Sequence, residues 1–202
     1  MWLGLRKVSY LDIGANHPTR LSNTYLFYRR GNKGVLVEPD ADLCRGLRRA
    51  RRHDRVLNVA VGPSGDSVIP MYIMTSRTLN TLDKAQAEAL HADGRERIEH
   101  VRNVRLLGIN ELLAEQFGES KPDYVSLDIE GLDLEILQAW DFQRFRPEVF
   151  CVATRTCSQD NSEAKISEVI DLMRARDYMV YADTHLNTVF VSCEAWSRRP
   201  VA

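Results

Sequence analysis

The stretch VSYLDIGAN, residues 8–16, decides the fold prediction for this chain. Val8–Ile13 is a short apolar run of the kind that forms a buried strand, and Gly14 places a turn directly after it. Apolar residues near helical spacing follow in Leu21–Arg30, and a second apolar run covers Gly34–Val37. The order strand, helix, strand is typical of the first unit of a parallel sheet.

The same alternation continues toward the C-terminus. Further predicted strands are Arg55–Val61, Val68–Met74, Tyr124–Leu127 and Val149–Ala153, with a final pair at Tyr178–Ala182 and Thr188–Ser192; predicted helices are Asp40–Arg52, Asn110–Phe117, Leu132–Ala139 and Ser162–Arg176. Strands that alternate with helices at this spacing predict an α/β fold whose mostly parallel sheet is covered on both faces.

Residues 75–103 interrupt this pattern because they are polar, charged and without a strong strand signal. Within them we predict two short surface helices, Lys84–His91 and Arg95–Val101. A chain of 202 residues suits one α/β core, and no repeat or low-complexity linker divides it. We therefore predict a single domain over residues 1–202, with a polar helical insertion at about 75–103 lying over the sheet edge.

Composition narrows the class of protein. The formal net charge is -1, so the molecule as a whole offers no strong field for nucleic acid or anionic lipid. No apolar run approaches the roughly 20 residues of a membrane helix, and Met1–Lys7 is too short for a signal peptide. The four cysteines have no metal-binding spacing. We expect a cytoplasmic protein without a membrane span.

Acidic residues follow three of the predicted strands at their carboxyl ends, where open parallel sheets bind ligands. These residues are Asp12, Glu38 and Asp128. Glu38 lies 24 residues after Gly14, near the spacing at which an acid accepts hydrogen bonds from ribose hydroxyls. The sequence therefore predicts a nucleoside site at this edge.

The expected nucleoside carries a positive charge and no phosphates. The chain has neither a GxGxxG nor a GxxxxGK[ST] sequence, which are the glycine-rich loops that hold phosphate groups. An anionic Asp12 at the loop mouth would repel a phosphate and attract an amine or a sulfonium. This pattern favours S-adenosylmethionine over NAD or ATP.

Four motifs, taken in order, resemble the FkbM family of methyltransferases. They are Asp12-Ile13-Gly14-Ala15-Asn16, Val37-Glu38-Pro39, Asn58-Val59-Ala60-Val61-Gly62 and Leu127-Asp128-Ile129-Glu130-Gly131, with Glu135 and Leu137 behind the last. The resemblance runs from about residue 8 to 155. It implies a Rossmann-like class I methyltransferase fold, in which a mostly parallel seven-stranded sheet has an antiparallel C-terminal strand and helices lie on both faces.

The resemblance also implies S-adenosyl-L-methionine as methyl donor and O-methylation of sugars, polyketides or related natural products. By this similarity Asp12, Gly14 and Asn16 line the methionine part, Glu38 binds the ribose and Asn58 lies by the adenine, with Ala15, Pro39 and Asp128 completing the donor site. The chain departs from the family where its fifth strand ends without an acid, at Cys151–Arg155. The segment that shields the acceptor from water must come from residues 75–103, from the Pro18–Tyr25 loop or from another subunit. A site with so little cover favours a large or glycan-like acceptor. A second subunit over the site would make the protein a homo-oligomer.

A hydroxyl acceptor needs a base to take its proton. Asp128 and Glu130 are the candidates because residues two apart on an extended strand end point the same way. In this interpretation Glu130 is the base, and Asp128 orients either the acceptor or the sulfonium side of the donor. Alternatively, Asp128 caps the next helix and Glu130 lies in its first turn. His17 in the donor loop is a further candidate catalytic residue, and His185 in the last hairpin another. Oxygen ligands at this edge would suit Mg²⁺, although the spacing does not require a metal.

The arginine cluster is the one feature that points toward nucleic acid. Arg45, Arg48, Arg49, Arg51, Arg52 and Arg55 lie on or near the predicted second helix. Such a run is usually the solvated face of a helix, so we expect a small-molecule or glycan acceptor rather than nucleic acid. RNA ribose or cap O-methylation and a non-catalytic nucleotide-binding subunit are the alternatives.

Overall fold

The computed structural model describes residues 7–65, 67–94, 96–129, 131–155 and 165–200. Its larger sheet has seven strands in the order β3-β2-β1-β7-β8-β10-β9. Their bounds are β1 Ser9–Ile13, β2 Lys33–Val37, β3 Arg55–Leu57, β7 Tyr124–Leu127, β8 Val149–Ala153, β9 Tyr178–Asp183 and β10 Asn187–Ser192. β10 alone runs opposite to the other six strands of this sheet, which confirms the predicted sheet.

Helices cover both faces because side chains alternate along the central strands. Leu11 and Ile13 of β1 belong to the large core beneath α4 (Ile109–Phe117), α5 (Asp133–Ala139) and α6 (Ser167–Ala175). Tyr10, on the opposite face, packs with Leu47 of α2 (Ala41–Ala50) and beside α1 (Tyr25–Arg29). The chain ends in α7 (Cys193–Ser197), which the sequence patterns did not predict.

A second sheet of three strands, in the order β4-β6-β5, corrects two predictions. Its strands are β4 Ala60–Gly62, β5 Ser67–Met74 and β6 Ile98–Gly108. The single strand predicted over Arg55–Val61 is two strands, which enter different sheets. The helix predicted over Arg95–Val101 is wrong: Arg95 lies outside the described residues, and from Ile98 the chain is a strand paired with β5.

The first part of strand β6 was mistaken for a helix because the strand has polar residues on both faces. Exposed and half-buried residues alternate along it, but an inward-facing position is taken by Arg102, whose guanidinium binds Asp42 at 3.1 Å. A polar side chain with a carboxylate partner can face inward, and it hides the apolar alternation that identifies a strand. The other helix predicted here is confirmed as α3, Lys84–Ala92.

Two further helices are shorter than predicted. The segment Leu21–Arg30 is helical only over Tyr25–Arg29, and Leu21 has φ 55° in the preceding loop. The helix predicted over Ser162–Arg176 is observed as Ser167–Ala175, and residues 162–164 lie outside the described part of the chain. Every helix in the described ranges is too short or too polar to span a bilayer.

Candidate active site

The order of strands in the large sheet reverses at β1, whose neighbours are β2 and β7. In an open parallel sheet this reversal opens a crevice at the carboxyl ends of the strands. The loops after β1 and β7 lie close together there, with the Asp128 N–H donating to the Ile13 carbonyl at 3.1 Å. Gly14 has φ 84°, and a Cβ on it would lie 1.9 Å from the Asp128 carbonyl oxygen. Only glycine allows this close approach of the two loops.

Glu38 is buried at the end of β2, with a relative exposure of 4%. One carboxylate oxygen accepts the Asn16 N–H at 3.0 Å and the other accepts the Asp40 N–H at 2.8 Å. Burial raises the pKa of Glu38 to about 7, against the effect of these two hydrogen bonds. A carboxylate has about four acceptor positions, so each oxygen retains capacity for one more donor.

The remaining predicted donor residues belong to the loops around Glu38. Ala15 is buried, and its N–H donates to the Val37 carbonyl at 3.1 Å. The Asn58 amide donates to the carbonyl oxygens of Glu38 at 3.0 Å and of Pro39 at 2.7 Å. Asn58 therefore fixes the loop that follows β2, and its predicted contact with adenine remains a prediction.

The second sheet also holds the loop after β2. Asp40, which is fully buried, accepts the Asp42 N–H and so caps α2, and its other oxygen accepts the Asn80 amide at 3.0 Å. Arg77 and Arg102 lie 3.9 and 3.7 Å from the same carboxylate. Part of the segment 75–103 thus contacts the side of the site where β2 ends.

Asp12 lies beneath the loop after β1 and has a relative exposure of only 4%. The Thr24 hydroxyl donates to its carboxylate at 2.6 Å, and the Ser126 hydroxyl also lowers its pKa by hydrogen bonding. Burial outweighs these contacts and raises the pKa of Asp12 to about 6.

Arg51 is the largest fully buried side chain of the described residues, with a relative exposure of 1%. It pairs with Asp54 at 2.8 Å, donates to Thr24 Oγ1 at 3.1 Å and to Tyr10 Oη at 3.1 Å, and lies 4.7 Å from the Tyr28 ring centroid. The guanidinium therefore supports Asp12 through Thr24.

The sequence patterns placed Arg51 among surface arginines. The helix ends at Ala50, and Arg51 leaves it with φ −112° and ψ 56°, so its side chain departs from the exposed stripe of α2. Asp54, three residues later, was the available signal for a buried ion pair, since a buried arginine requires an acid.

Asp128 follows β7 and reaches solvent. Protein packed around its carboxyl group raises its pKa by desolvation, and no hydrogen bond from the described residues offsets this. Asp128 does not cap α5, which begins after Leu132 without a side-chain capping bond. Glu130, the other candidate base, lies outside the described residues.

Asp133 was not predicted as a site residue. It is buried in the first turn of α5, and its carboxylate accepts the Ile129 N–H at 3.2 Å. Burial, together with the charge of Asp128, raises the pKa of Asp133 to about 7. This hydrogen bond holds the loop that carries Asp128. The sequence did not reveal this role, because an acid in the first turn of a helix is also favoured by the helix dipole alone.

His17 stabilises its own loop through hydrogen bonds. Its Nδ1 accepts the N–H groups of Thr19 at 3.2 Å and Arg20 at 2.9 Å, so the hydrogen of the neutral ring lies on Nε2. These bonds stabilise the loop, and the catalytic role of His17 remains a prediction. His185 lies in the turn between β9 and β10 with φ 77°.

The arrangement fits S-adenosylmethionine as the bound nucleoside. Asp12, Glu38, Asp128 and Asp133 concentrate negative charge, and a cationic ligand would relieve the cost of ionising these desolvated acids. No helix begins directly after Gly14, since α1 starts only at Tyr25, so the turn lacks the helix N-terminus that binds a pyrophosphate. Among the described residues, no three His, Cys, Asp or Glu side chains are grouped to hold a metal ion.

Several solved structures are similar to this chain. The precorrin-6y C5,15-methyltransferase of Geobacter metallireducens is 13% identical, with 94% of this chain and 81% of that chain covered and a TM-score of 0.45. The fibrillarin pre-rRNA processing protein of Methanococcus jannaschii is 13% identical, with coverages of 95% and 69% and a TM-score of 0.46. The 1,6-didemethyltoxoflavin-N1-methyltransferase of Burkholderia thailandensis, which has S-adenosylhomocysteine bound, is 12% identical, with coverages of 92% and 70% and a TM-score of 0.43.

No curated protein sequence matches the chain. The family model of the methyltransferase FkbM domain matches residues 12–180, which is well over half of the chain and includes the ends of β1, β2 and β7. The chain belongs to the FkbM family of S-adenosylmethionine-dependent methyltransferases.

Proposed function

We propose that this methyltransferase methylates a hydroxyl oxygen on a sugar, glycan or natural-product acceptor. The observation that carries the proposal is the position of Asp128, which is open to solvent at the end of β7, beside Gly14 of the donor loop. Its pKa is raised, and a carboxylate closer to neutral pH is a stronger base for removing a hydroxyl proton.

Each residue of the site has a separate role in the proposed reaction. When bound, S-adenosylmethionine supplies a methyl group on a positively charged sulfur. Glu38 binds the ribose hydroxyls, and the buried charge of Asp12 favours a cation in the crevice. Asp128 accepts the proton that the acceptor hydroxyl loses as its oxygen takes the methyl group. Alignment of two bound reactants can supply roughly 7–11 kcal/mol of the barrier reduction in ideal cases.

Glu130 remains an alternative base, since it shares the loop and the motif with Asp128. Sugars and glycans fit the proposal because Asp128 is exposed at the carboxyl edge of the sheet, which leaves room for an extended acceptor. A single cytoplasmic domain that can form a homo-oligomer completes the proposal.

The test is methyl transfer from donor carrying a ¹³C-labelled methyl group to a panel of sugars and short glycans, with matched amino sugars and RNA as competing acceptors. The expected product is an O-methyl ether, identified by the ¹³C shift of its methyl carbon and by mass. Exclusive N-methylation of the amino sugars, or transfer to RNA alone, would contradict the proposal.

A further inference from the structure

One surface of the molecule is strongly basic. It is formed by α1, the Pro18–Ser22 loop and the solvent-facing side of α2. Residues 29–55 contain nine Lys and Arg against four Asp and Glu. Eight of these cations are exposed: Arg29, Arg30, Lys33, Arg45, Arg48, Arg49, Arg52 and Arg55. We refer to these eight residues, with Leu21 and Leu26, as the basic face.

The acids of the same segment do not neutralise this charge. Glu38 and Asp40 are buried in the donor site, and the Asp54 carboxylate is buried against Arg51. Asp42 is the exception, since it pairs with Arg45 at 2.5 Å and with Arg102. The whole chain has a net charge of -1, so the basic face is balanced by acids elsewhere, and this separation of charge would orient the protein on an anionic surface.

The arginines of α2 form one stripe. Arg45, Arg48 and Arg49 are spaced i, i+3 and i+4, which places them on one side of α2, and Arg52 follows two residues after the helix ends at Ala50. Arg48 and Arg52 donate to main-chain carbonyl oxygens, those of Val56 and Arg49. Their guanidinium groups thus keep their positive charge and most of their five N–H donors for an external anion.

Two leucines, one in the loop before α1 and one in α1, are unusually exposed. Leu21 has a relative exposure of 92% and Leu26 of 63%. Leu21 also adopts φ 55°, a conformation that is strained for a bulky residue. The Leu21 loop lies against the end of α2, because Arg51 donates to the Pro18 carbonyl at 3.1 Å.

We propose that the basic face docks on an anionic membrane surface, with its arginines at the lipid phosphates and Leu21 and Leu26 inserted among the acyl chains. Basic side chains beside exposed apolar ones are the combination that binds the membrane interface. A nucleic-acid backbone would satisfy the arginines but would give the exposed leucines no apolar partner.

The test is co-sedimentation of the whole protein with phosphatidylcholine vesicles, with and without phosphatidylglycerol, at low and high salt. The charge-reversed variant Arg45→Glu/Arg49→Glu/Arg52→Glu is compared with Lys84→Glu/Arg97→Glu/Arg174→Glu, which changes the net charge equally at exposed cations elsewhere. We expect binding only to phosphatidylglycerol vesicles, weakened about tenfold or more in the first variant and within about twofold of the native protein in the second. Equal loss in both variants would overturn the proposal.

A second comparison separates the membrane from other polyanions. Leu21→Asn/Leu26→Gln leaves the charge unchanged and places at position 21 a residue that tolerates φ above zero, so its melting temperature should not fall. We expect this variant to lose vesicle binding at high salt, where screening weakens the arginines. Unchanged vesicle binding, or native binding to a short RNA with none to vesicles, would overturn the membrane as partner.

Discussion

The two halves of the carboxyl edge hold their acids in different ways. At the ends of β1 and β2, Asp12 and Glu38 are buried and are held by Thr24 Oγ1 and by main-chain N–H groups. At the end of β7, Asp128 reaches solvent, and no described residue donates to its carboxylate. The first half is preorganised, as tight binding of a fixed ligand requires. The second half leaves a carboxylate exposed, and it is the base that we propose.

The largest expected effect is on turnover at the open half. Asp128→Asn removes the proposed base, and we expect kcat to fall about 100-fold or more while the donor Kd stays within about twofold. Glu130→Gln, measured in the same steady-state assay, assigns the base between the two acids. Glu115→Gln, at an exposed acid on α4, is the matched control and should retain full activity. Native kcat in both Asp128→Asn and Glu130→Gln would remove the carboxylate base from the account.

The next effect is on donor affinity at the buried half. Glu38→Ala removes the proposed ribose acceptor, and we expect donor binding to weaken by about 2–4 kcal/mol, since hydrogen bonds to a charged group contribute about 1.5–3 kcal/mol each. Isothermal titration with S-adenosylmethionine measures the change. Glu119→Gln, at a distant exposed acid, should bind as the native protein does. If Glu38→Ala lost turnover but not affinity, the contrast between the halves would fail.

A smaller effect tests how Arg51 and Thr24 support Asp12. The charged and titratable groups that face Asp12 are Arg51, Asp128, Glu38, Tyr124 and Cys151. Thr24→Val removes one hydrogen bond that favours the carboxylate, so we expect the pH below which donor binding weakens to rise by about one unit, with about tenfold weaker binding near pH 6.

Thr24→Ser should restore the native pH profile, because the hydroxyl remains. Tyr10→Phe removes a partner of Arg51 that does not contact Asp12, and it should leave the midpoint unchanged. A uniform loss of affinity at every pH in Thr24→Val would indicate a merely structural role for the hydroxyl.

The last expected effect is on the stability of the ligand-free protein. Burial raises the pKa of Glu38 from 4.5 to about 7. The folded state therefore binds this proton more tightly than the unfolded state, and stability falls as pH rises between these two values. Relative to the native protein, Glu38→Gln should become more stable by about 1–3 kcal/mol between pH 5 and pH 8.

Urea unfolding at the two pH values measures this difference, and S-adenosylmethionine should offset the loss of stability in the native protein at pH 8. A difference between Glu38→Gln and the native protein that does not change with pH would show that the carboxyl group is not desolvated.

The sequence predicted most accurately the regions where one physical signal dominates. The strands that carry Asp12 and Asp128 are short apolar runs buried on both faces, and their acids necessarily lie at the carboxyl edge of a parallel sheet. The strand Ile98–Gly108 escaped prediction because Arg102 and its neighbours conceal the alternation. Arg51 and Asp133 escaped because their roles depend on partners that the fold brings close, Thr24 and Ile129.

The most direct test of the central claim is a crystal structure of the protein with S-adenosylhomocysteine, in which the distances from the ribose hydroxyls to the Glu38 carboxylate are measured. The account predicts two contacts of about 2.6–3.2 Å, with the sulfur over Gly14 and directed toward Asp128. A ribose bound away from Glu38, with that carboxylate still held only by Asn16 and Asp40, would contradict it.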